Sequence, residues 1–271
     1  MFVLISIGIS LIILACLFHF SKQRQSSLQR KYEILVLLRQ LLLLSRQHRS
    51  ITHQILTETN KFDLTPQLEE TYDLMMAKSN ELIAIAQFEN KPMYRILQLK
   101  FKSLSKDWQN NSVARNQVVH GKTIRHCLFL MDEIAIAWLI ESGREDLSDE
   151  YHLNWQQVLD SMEVLTQLRI SIQDCHYPEG MLRVKYYCEK MKRKLSQMSI
   201  ISPLALASPA SSKSMHMLTE IGSCNEITME VRELYALTTD ISLIISQVYD
   251  QMLSDMTESL YQPLPRVAFS G

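Results

Sequence analysis

Apolar residues in this sequence recur at three- and four-residue spacing, and this period constrains the fold more than any other feature. The clearest example surrounds residues 41–58. There one apolar helical stripe is formed by Leu37, Leu38, Leu41, Leu44, Ile51 and Ile55. Similar stripes recur in the later stretches, and none shows the two-residue alternation typical of a strand. The spacing therefore predicts a chain built from α-helices.

Composition favours long helices with few interruptions. The 271 residues include only 6 Gly and 7 Pro, and 46% are hydrophobic, which is enough apolar material for a sizeable core. The scattered glycines form no phosphate-binding loop. The net charge of -1 gives no electrostatic argument for a nucleic-acid partner, and we expect none. We expect an all-α protein, an antiparallel helical bundle preceded by one N-terminal transmembrane helix.

Residues 1–20 are almost wholly apolar and are long enough for one membrane crossing. The run lacks a basic start and a small-residue cleavage site, so we expect an anchor rather than a cleaved signal peptide. Basic residues follow at Lys22, Arg24, Arg30 and Lys31. The positive-inside rule then predicts a single-pass protein of the inner (plasma) membrane with its body in the cytoplasm. Five widely spaced cysteines fit free thiols in a reducing compartment.

Turn residues and composition divide the rest of the chain. Residues 26–200 contain helical stretches separated by breaks such as Gly143, and we predict that they form the bundle. Residues 201–214, ISPLALASPASSKS, are the one low-complexity stretch and predict a linker or surface loop. Residues 215–260 predict one or two further helices that pack on the bundle, and residues 261–271 a disordered tail.

The common catalytic and metal-binding patterns are missing from the sequence. The histidines form neither HxxxH nor HExxH, and no ExxH pair suits a di-iron bundle. No GxSxG turn presents a nucleophilic serine. We therefore expect no catalytic residues, no metal and no cofactor, and a protein that is not an enzyme.

Two arginines are unusual because they lie in otherwise apolar helical stretches. Arg49 follows the leucine-rich run of the first helix, where Arg46 and His53 share its face, and Arg169 lies in LTQLRISI. Two guanidiniums on facing helices of a bundle would repel and desolvate one another, and a small anion between them would relieve both costs. Nitrate and nitrite are planar and match the forked N–H donors of arginine. An arginine that snorkels to water is the plainer alternative.

The sequence around both arginines resembles a known family. RQHRSIT at 46–52 is similar to the first-helix motif of the bacterial nitrate- and nitrite-sensing (NIT) domains, which act in signal transduction. EVLTQLR at 163–169 is similar to a later motif of that family. Between them, DWQNNSVARNQVVHGKTIRHCLFLMDEIA is similar to the family's middle helices, so the resemblance covers about residues 30–200.

The resemblance implies an anion-binding site made by one arginine from each motif, and these fall on Arg49 and Arg169. It implies a surrounding set of polar residues at Arg46, His48, Ser50, Thr166, Gln167 and Glu163. Ser50 and Thr166 stand where the family usually has glycine, and His48 stands where a carboxylate is common. The added bulk could change the preference for the anion. No output-domain signature follows residue 200.

Two functional hypotheses follow. In the first, the protein is a membrane-anchored sensor that binds nitrate, nitrite or a similar small anion between two helices and signals to an unknown protein partner. In the second, it is a ligand-free inner-membrane scaffold or adaptor of the same fold, in which Arg49 and Arg169 pair with carboxylates such as Glu163. By analogy with single-pass sensors, residues 26–45 could pair two copies as a homodimer.

Overall fold

The computed structural model describes residues 2–57, 64–106, 108–203, 207–224, 226–260 and 264–265, with side chains from residue 6 onward. In these ranges the chain forms eight α-helices and no strand. The helices are α1 (Phe2–Thr57), α2 (Thr65–Ile85), α3 (Lys91–Ser105), α4 (Val113–Ser142), α5 (Ser148–Ser171), α6 (Pro178–Ile201), α7 (Pro209–Ser223) and α8 (Val231–Ser259). This architecture confirms the predicted all-α helical bundle.

Helix α1 has an exposed apolar half and a buried half. The large apolar side chains between Ile7 and Phe20 are exposed, whereas from Ile34 onward the apolar side chains enter the core. The exposed half makes α1 long and apolar enough to cross a membrane, and none of its most apolar stretch is buried in the bundle. The two halves form one continuous helix, so the bundle is joined to the apolar segment without a break.

The buried half of α1 is covered by other helices of the same chain. Its core residues are Ile34, Leu35, Leu37, Leu38, Leu41 and Leu42. The stretch 26–45, which we expected to pair two copies, therefore has most of its apolar stripe inside its own bundle. It leaves little apolar surface for a second copy.

Contacts with neighbouring helices show how the packed part of α1 is oriented. Helix α1 packs against α2 and α4, and α4 runs antiparallel to it. At one end Arg24 Nη2 donates to the Glu141 carbonyl at 2.6 Å, and at the other Asn116 Nδ2 donates to Thr52 Oγ1 at 3.1 Å. Helix α5 packs on α4 and α6, and α8 packs on α5 and α7. The C-terminal part of the chain thus belongs to the same core as the bundle.

Local sequence signals explain several helix ends. The Ser112 hydroxyl accepts from the Arg115 N–H at 3.2 Å and begins α4, while Gly143, with φ of 74°, ends it in the left-handed conformation that glycine adopts easily. Glu230 and Glu233 form a capping box at the start of α8. The predicted break at Gly143 is confirmed.

The predicted loop at 201–214 is wrong in its extent. Helix α6 continues to Ile201, and α7 begins at Pro209. The Ser208 hydroxyl caps α7 by accepting from the Ser211 N–H at 3.3 Å, and the proline lies in the first turn, where its missing N–H costs nothing. Serines and a proline therefore start a helix here instead of extending a linker. Residues 204–206 and most of the predicted tail, residues 261–271, lie outside the described part of the chain.

Gly180 provides a test of the corner that joins α5 to α6. A Cβ at Gly180 would lie 1.8 Å from the Asp174 carbonyl oxygen, which is backbone and cannot swing away. We expect Gly180→Ala to lower the free energy of unfolding by about 1–3 kcal/mol, as overpacking does. Gly222→Ala is the matched control, because the nearest atoms there belong to the movable end of Glu189. Denaturant unfolding of both variants measures the difference. Equal stabilities would contradict the close approach of Gly180 to the Asp174 backbone.

Candidate functional site

Three arginines from two helices converge on α8. Arg46 and Arg49 extend from α1, and Arg169 extends from α5. Only 7% of Arg49 and 4% of Arg169 is exposed, so neither side chain snorkels to water. The structure therefore brings together the two arginines that the sequence singled out, and it adds α8 as the helix that they contact.

The guanidinium groups donate to hydroxyl and carbonyl oxygens of α8. Arg46 Nη2 lies 2.8 Å from the Ser242 carbonyl oxygen and 3.1 Å from Ser242 Oγ. Arg49 Nη2 lies 3.4 Å from the same Ser242 Oγ. Arg169 donates from Nε to Thr238 Oγ1 at 3.1 Å and from Nη2 to the Thr238 carbonyl at 2.9 Å. Two cations thus share one hydroxyl oxygen, with a third cation one helical turn away.

The contribution of α8 is the main feature that the sequence interpretation missed. Thr238 and Ser242 are four residues apart, and Tyr249, whose hydroxyl is 3.4 Å from Arg46 Nη1, is seven residues further along the same face. These hydroxyls interrupt an apolar stripe that includes Ile241 and Ile245. Hydroxyl groups at helical spacing on an apolar face were the available signal, because buried hydroxyls need hydrogen-bond partners.

No carboxylate neutralises the three arginines within the part of the chain that the structure describes. Arg46, Arg49 and Arg169 form no ion pair there, and each bonds only to neutral groups. Burial, together with the positive charges of Arg169 and Arg46, holds the pKa of Arg49 well below its usual value. Burial and the charge of Arg46 lower the pKa of Arg169 to about 9. The protein around these groups therefore disfavours their positive charge.

Several guanidinium donors remain without good acceptors. Arg46 Nε is buried and has no hydrogen-bond partner in the described structure. Arg49 makes a single side-chain hydrogen bond there, the long one to Ser242 Oγ. The Ser242 hydroxyl accepts from both arginines, but its own hydrogen has no acceptor in the same part of the chain. These groups are donors that an oxyanion could satisfy.

His53 lies beside the arginines on α1. Its ring centroid is 4.4 Å from that of Tyr235 on α8, and Gln117 Nε2 donates to its Nδ1 at 3.3 Å. Burial, followed by the charges of Arg169 and Arg49, lowers the pKa of His53 to about 4. The ring is therefore neutral at physiological pH, and it adds no charge to the cluster.

His48 belongs to a different contact from Arg49. His120 Nδ1 lies 2.9 Å from the Asn116 carbonyl, so it carries the hydrogen and leaves Nε2 as an acceptor. His48 Nδ1 therefore donates to His120 Nε2, at 2.9 Å. Burial lowers the pKa of His48 to about 4, and burial and His48 lower that of His120 to about 3. This neutral pair ties α1 to α4 and does not face α8.

The remaining residues of the predicted surrounding set lie away from α8. Ser50 is exposed. Glu163 pairs with Arg125 of α4 at 2.6 Å and accepts from Gln167 at 2.7 Å. Thr166 donates to the Met162 carbonyl and accepts from Arg125. The expected pairing of Glu163 with Arg49 or Arg169 is therefore wrong, because Glu163 extends from the side of α5 that faces α4.

A fourth arginine, Arg39, contacts α8 in a different way. It is buried and donates from Nε to Asp250 Oδ1 at 2.9 Å, with a second, shorter contact from Nη2. This is the ion pair that Arg46, Arg49 and Arg169 lack. Along α1, Arg39 thus binds a carboxylate, whereas Arg46, two turns later, donates only to neutral groups among the described residues.

Metal binding has no support among the described residues, where no group of three or more His, Cys, Asp and Glu side chains could hold an ion. Comparisons of the chain with protein-family models, with curated proteins and with solved structures find no match. The resemblance to NIT domains therefore stays a prediction from the two short motifs around Arg49 and Arg169.

The buried histidines predict a loss of stability in mild acid. The unfolded chain protonates histidine near pH 6.5, whereas the pKa of folded His120 is about 3 and those of His48 and His53 are about 4. Below pH 6.5 the unfolded chain binds more protons, so the free energy of unfolding falls as pH falls toward 4, by about 1.4 kcal/mol per pH unit for a fully buried group. His120→Asn should weaken this dependence in denaturant unfolding from pH 7 to 4.5. A parallel pH dependence in parent and variant would contradict it.

The ion pair between Arg39 and Asp250 predicts a second stability effect. Asp250→Ala leaves the buried Arg39 without its carboxylate and should lower the free energy of unfolding by about 3 kcal/mol. A double variant, Arg39→Met with Asp250→Leu, removes both charges and should regain most of that loss. Denaturant unfolding of the three chains measures the effect, and a double variant that is no more stable than Asp250→Ala would contradict it.

Proposed function

We propose that this protein is a membrane-anchored signal-sensing protein that binds nitrate, nitrite or a similar small anion among Arg46, Arg49 and Arg169. The observation that carries the proposal is the convergence of the buried guanidiniums of Arg49 and Arg169 and the half-buried one of Arg46 on α8, without a carboxylate partner in the described structure. The resemblance to NIT domains identifies two of these arginines, Arg49 and Arg169, and supports the choice of anion.

The energetics of the cluster favour an anion as ligand. Three like charges in a buried environment cost free energy, and the hydroxyls of Ser242 and Thr238 offset only part of it. The attraction of all three arginines to one negative charge between them would outweigh their mutual repulsion. A planar oxyanion also offers several acceptors to the forked donors, and the Ser242 hydroxyl supplies a donor of its own.

Helix α1 supplies a route by which binding could be signalled. An anion would draw α1, α5 and α8 toward one another, since Arg49, Arg169 and Ser242 would share it. Arg49 lies about 44 Å along the helix axis from Phe20, and α1 is continuous between them. A shift or rotation of α1 at the arginines would therefore reach the apolar half. We propose that the signal passes to a protein partner.

Membrane anchoring is the second part of the proposal. The exposed apolar half of α1 supports a single membrane crossing. The basic residues that follow it support, by the positive-inside rule, an orientation with the bundle on the cytoplasmic side of the inner membrane. The free cysteines agree with a reducing compartment.

A ligand-free scaffold is the alternative, and one observation favours it. Arg39 is a buried arginine of α1 that donates within the chain, to Asp250 of α8 and to the Pro265 carbonyl. In the same way Arg46 and Arg49 would tie α1 to α8 through Ser242, and Arg169 would tie α5 to α8 through Thr238. In that case the three arginines would contribute to stability, and their replacement would weaken the bundle with or without an anion.

Thermal unfolding with different anions separates the two functions. In detergent, nitrate or nitrite should raise the melting temperature of the full-length chain more than chloride or sulfate at equal ionic strength, because a ligand that binds only the folded state stabilises it. At 100 times its dissociation constant the gain is about 2.7 kcal/mol. Arg49→Met and Arg169→Met should abolish the nitrate-specific rise without lowering the melting temperature in chloride, since each removes an uncompensated buried charge.

Arg115→Ala is the matched control for both variants. Arg115 is an exposed arginine at the start of α4, and its side chain makes no hydrogen bond or ion pair with the described residues, so its loss should leave the nitrate response unchanged. A parent chain that responds equally to all four anions would contradict the sensor proposal. Loss of stability in chloride for both methionine variants would instead support the scaffold.

A further inference from the structure

A second basic site lies at the opposite end of the buried half of α1. A cavity of about 470 Å³ is bounded by the α1 segment from Phe20 to Arg30, by Gln87 after α2 and by Glu141 near the end of α4. Its polar lining consists of Gln23, Arg24, Ser26, Ser27, Arg30, Gln87 and Glu141. Apart from Phe20, every lining residue can donate or accept hydrogen bonds.

The one carboxylate in this lining does not neutralise the two arginines. Glu141 forms an ion pair with Lys31 and accepts from Ser27 Oγ at 3.2 Å. Among the described residues, the Arg24 guanidinium donates a hydrogen bond only to the Glu141 carbonyl, at 2.6 Å, and forms no ion pair. Arg30 has no hydrogen-bond or ion-pair partner in the described ranges. The lining therefore keeps a net positive charge and at least one unengaged guanidinium.

The position of the cavity relates it to a membrane surface. Phe20 ends the exposed apolar half of α1, and Arg24 and Arg30 follow at about 6 Å and about 15 Å along the axis. The headgroup layer is about 5–8 Å thick on each side of the hydrocarbon. Side chains on a helix lean toward its N-terminus, so Arg24 and Arg30 lean toward the apolar half. Both guanidiniums can therefore reach the headgroup layer.

Two exposed apolar residues are sequence neighbours of residues that line the cavity. Phe88, which follows Gln87, is 89% exposed, and Ile140, which precedes Glu141, is 51% exposed. Exposed apolar groups at this end of the bundle suit the boundary between headgroups and acyl chains. Phe20, in the cavity wall, would contact the first part of an acyl chain.

We propose that this cavity binds the phosphate of an anionic phospholipid such as phosphatidylglycerol, held by Arg24, Arg30 and the hydroxyl of Ser26. The proposal rests on the membrane anchoring in the proposed function, but it does not depend on the nitrate site. A bound headgroup would fix the depth and rotation of α1, the helix that also carries Arg49.

The test uses the full-length chain in detergent with three probes: short-chain phosphatidylglycerol, short-chain phosphatidylcholine and inorganic phosphate at equal ionic strength. Phosphatidylglycerol should raise the melting temperature more than the other two. Arg30→Ala should weaken its apparent affinity about tenfold, the effect of losing one charge-assisted hydrogen bond. Arg30 has no partner in the described structure, so this variant should keep its melting temperature without lipid. Arg115→Ala, at the far end of the bundle, should respond like the parent.

Each other outcome overturns the assignment. An equal response to inorganic phosphate would identify a free-anion site, and an equal response to phosphatidylcholine would show that the charge is not recognised. An unchanged affinity in Arg30→Ala would exclude this cavity. Carbonate extraction of the chain from membranes tests the anchoring separately, and the nitrate response of Arg30→Ala tests the other site.

Discussion

Arginine side chains make the hydrogen bonds between α1 and α8 in the described part of the chain. The closest helical neighbours of α1 are α2 and α4, whereas α8 packs on α5 and α7. Arg39, Arg46 and Arg49 cross from α1 to Asp250, Tyr249 and Ser242 of α8. An arginine can cross such a distance because its long stem packs with apolar neighbours while its head makes several directed hydrogen bonds. The cost is burial of charge, which Asp250 offsets for Arg39 and which no described carboxylate offsets for Arg46 and Arg49.

This difference along α1 fits a structural role for Arg39 and, in the proposed function, a binding role for Arg46 and Arg49. Where Arg39 meets Asp250, the charges are already compensated and a further anion would be repelled by the carboxylate. Two turns later Arg46 and Arg49 share the Ser242 hydroxyl and keep N–H donors that lack good acceptors, and Arg169 adds a third positive charge. A protein selected for stability alone could have used apolar side chains at these three positions, since well-packed apolar groups are often at least as stable as buried charges.

The sequence predicted the helices better than their contacts. Helical spacing and breaks such as Gly143 depend on residues close together in sequence, so the helices could be predicted from the sequence. Arg49 and Arg169 were also recognisable, because a charge in an apolar stripe conflicts with its surroundings. Their partners were not, because serine and threonine are common in helices, and only tertiary packing shows that Ser242 and Thr238 face the arginines. His48 and Glu163 were misplaced for a geometric reason: one residue turns a helix by about 100°, and six residues leave two side chains about 120° apart.

The two basic clusters of this chain use the same functional group in opposite environments, and the environment decides what each could bind. The guanidiniums of Arg49 and Arg169 are buried, so a ligand there must shed its water and fit among side chains, which favours a small, weakly hydrated anion. Arg24 and Arg30 lie beside an exposed apolar helix, where a larger group can keep part of its hydration. Arg24 and Arg30 share one unbroken helix with Arg46 and Arg49. In the proposed function, a ligand that fixes the N-terminal part of α1 would therefore also limit how α1 moves on anion binding at the other cluster.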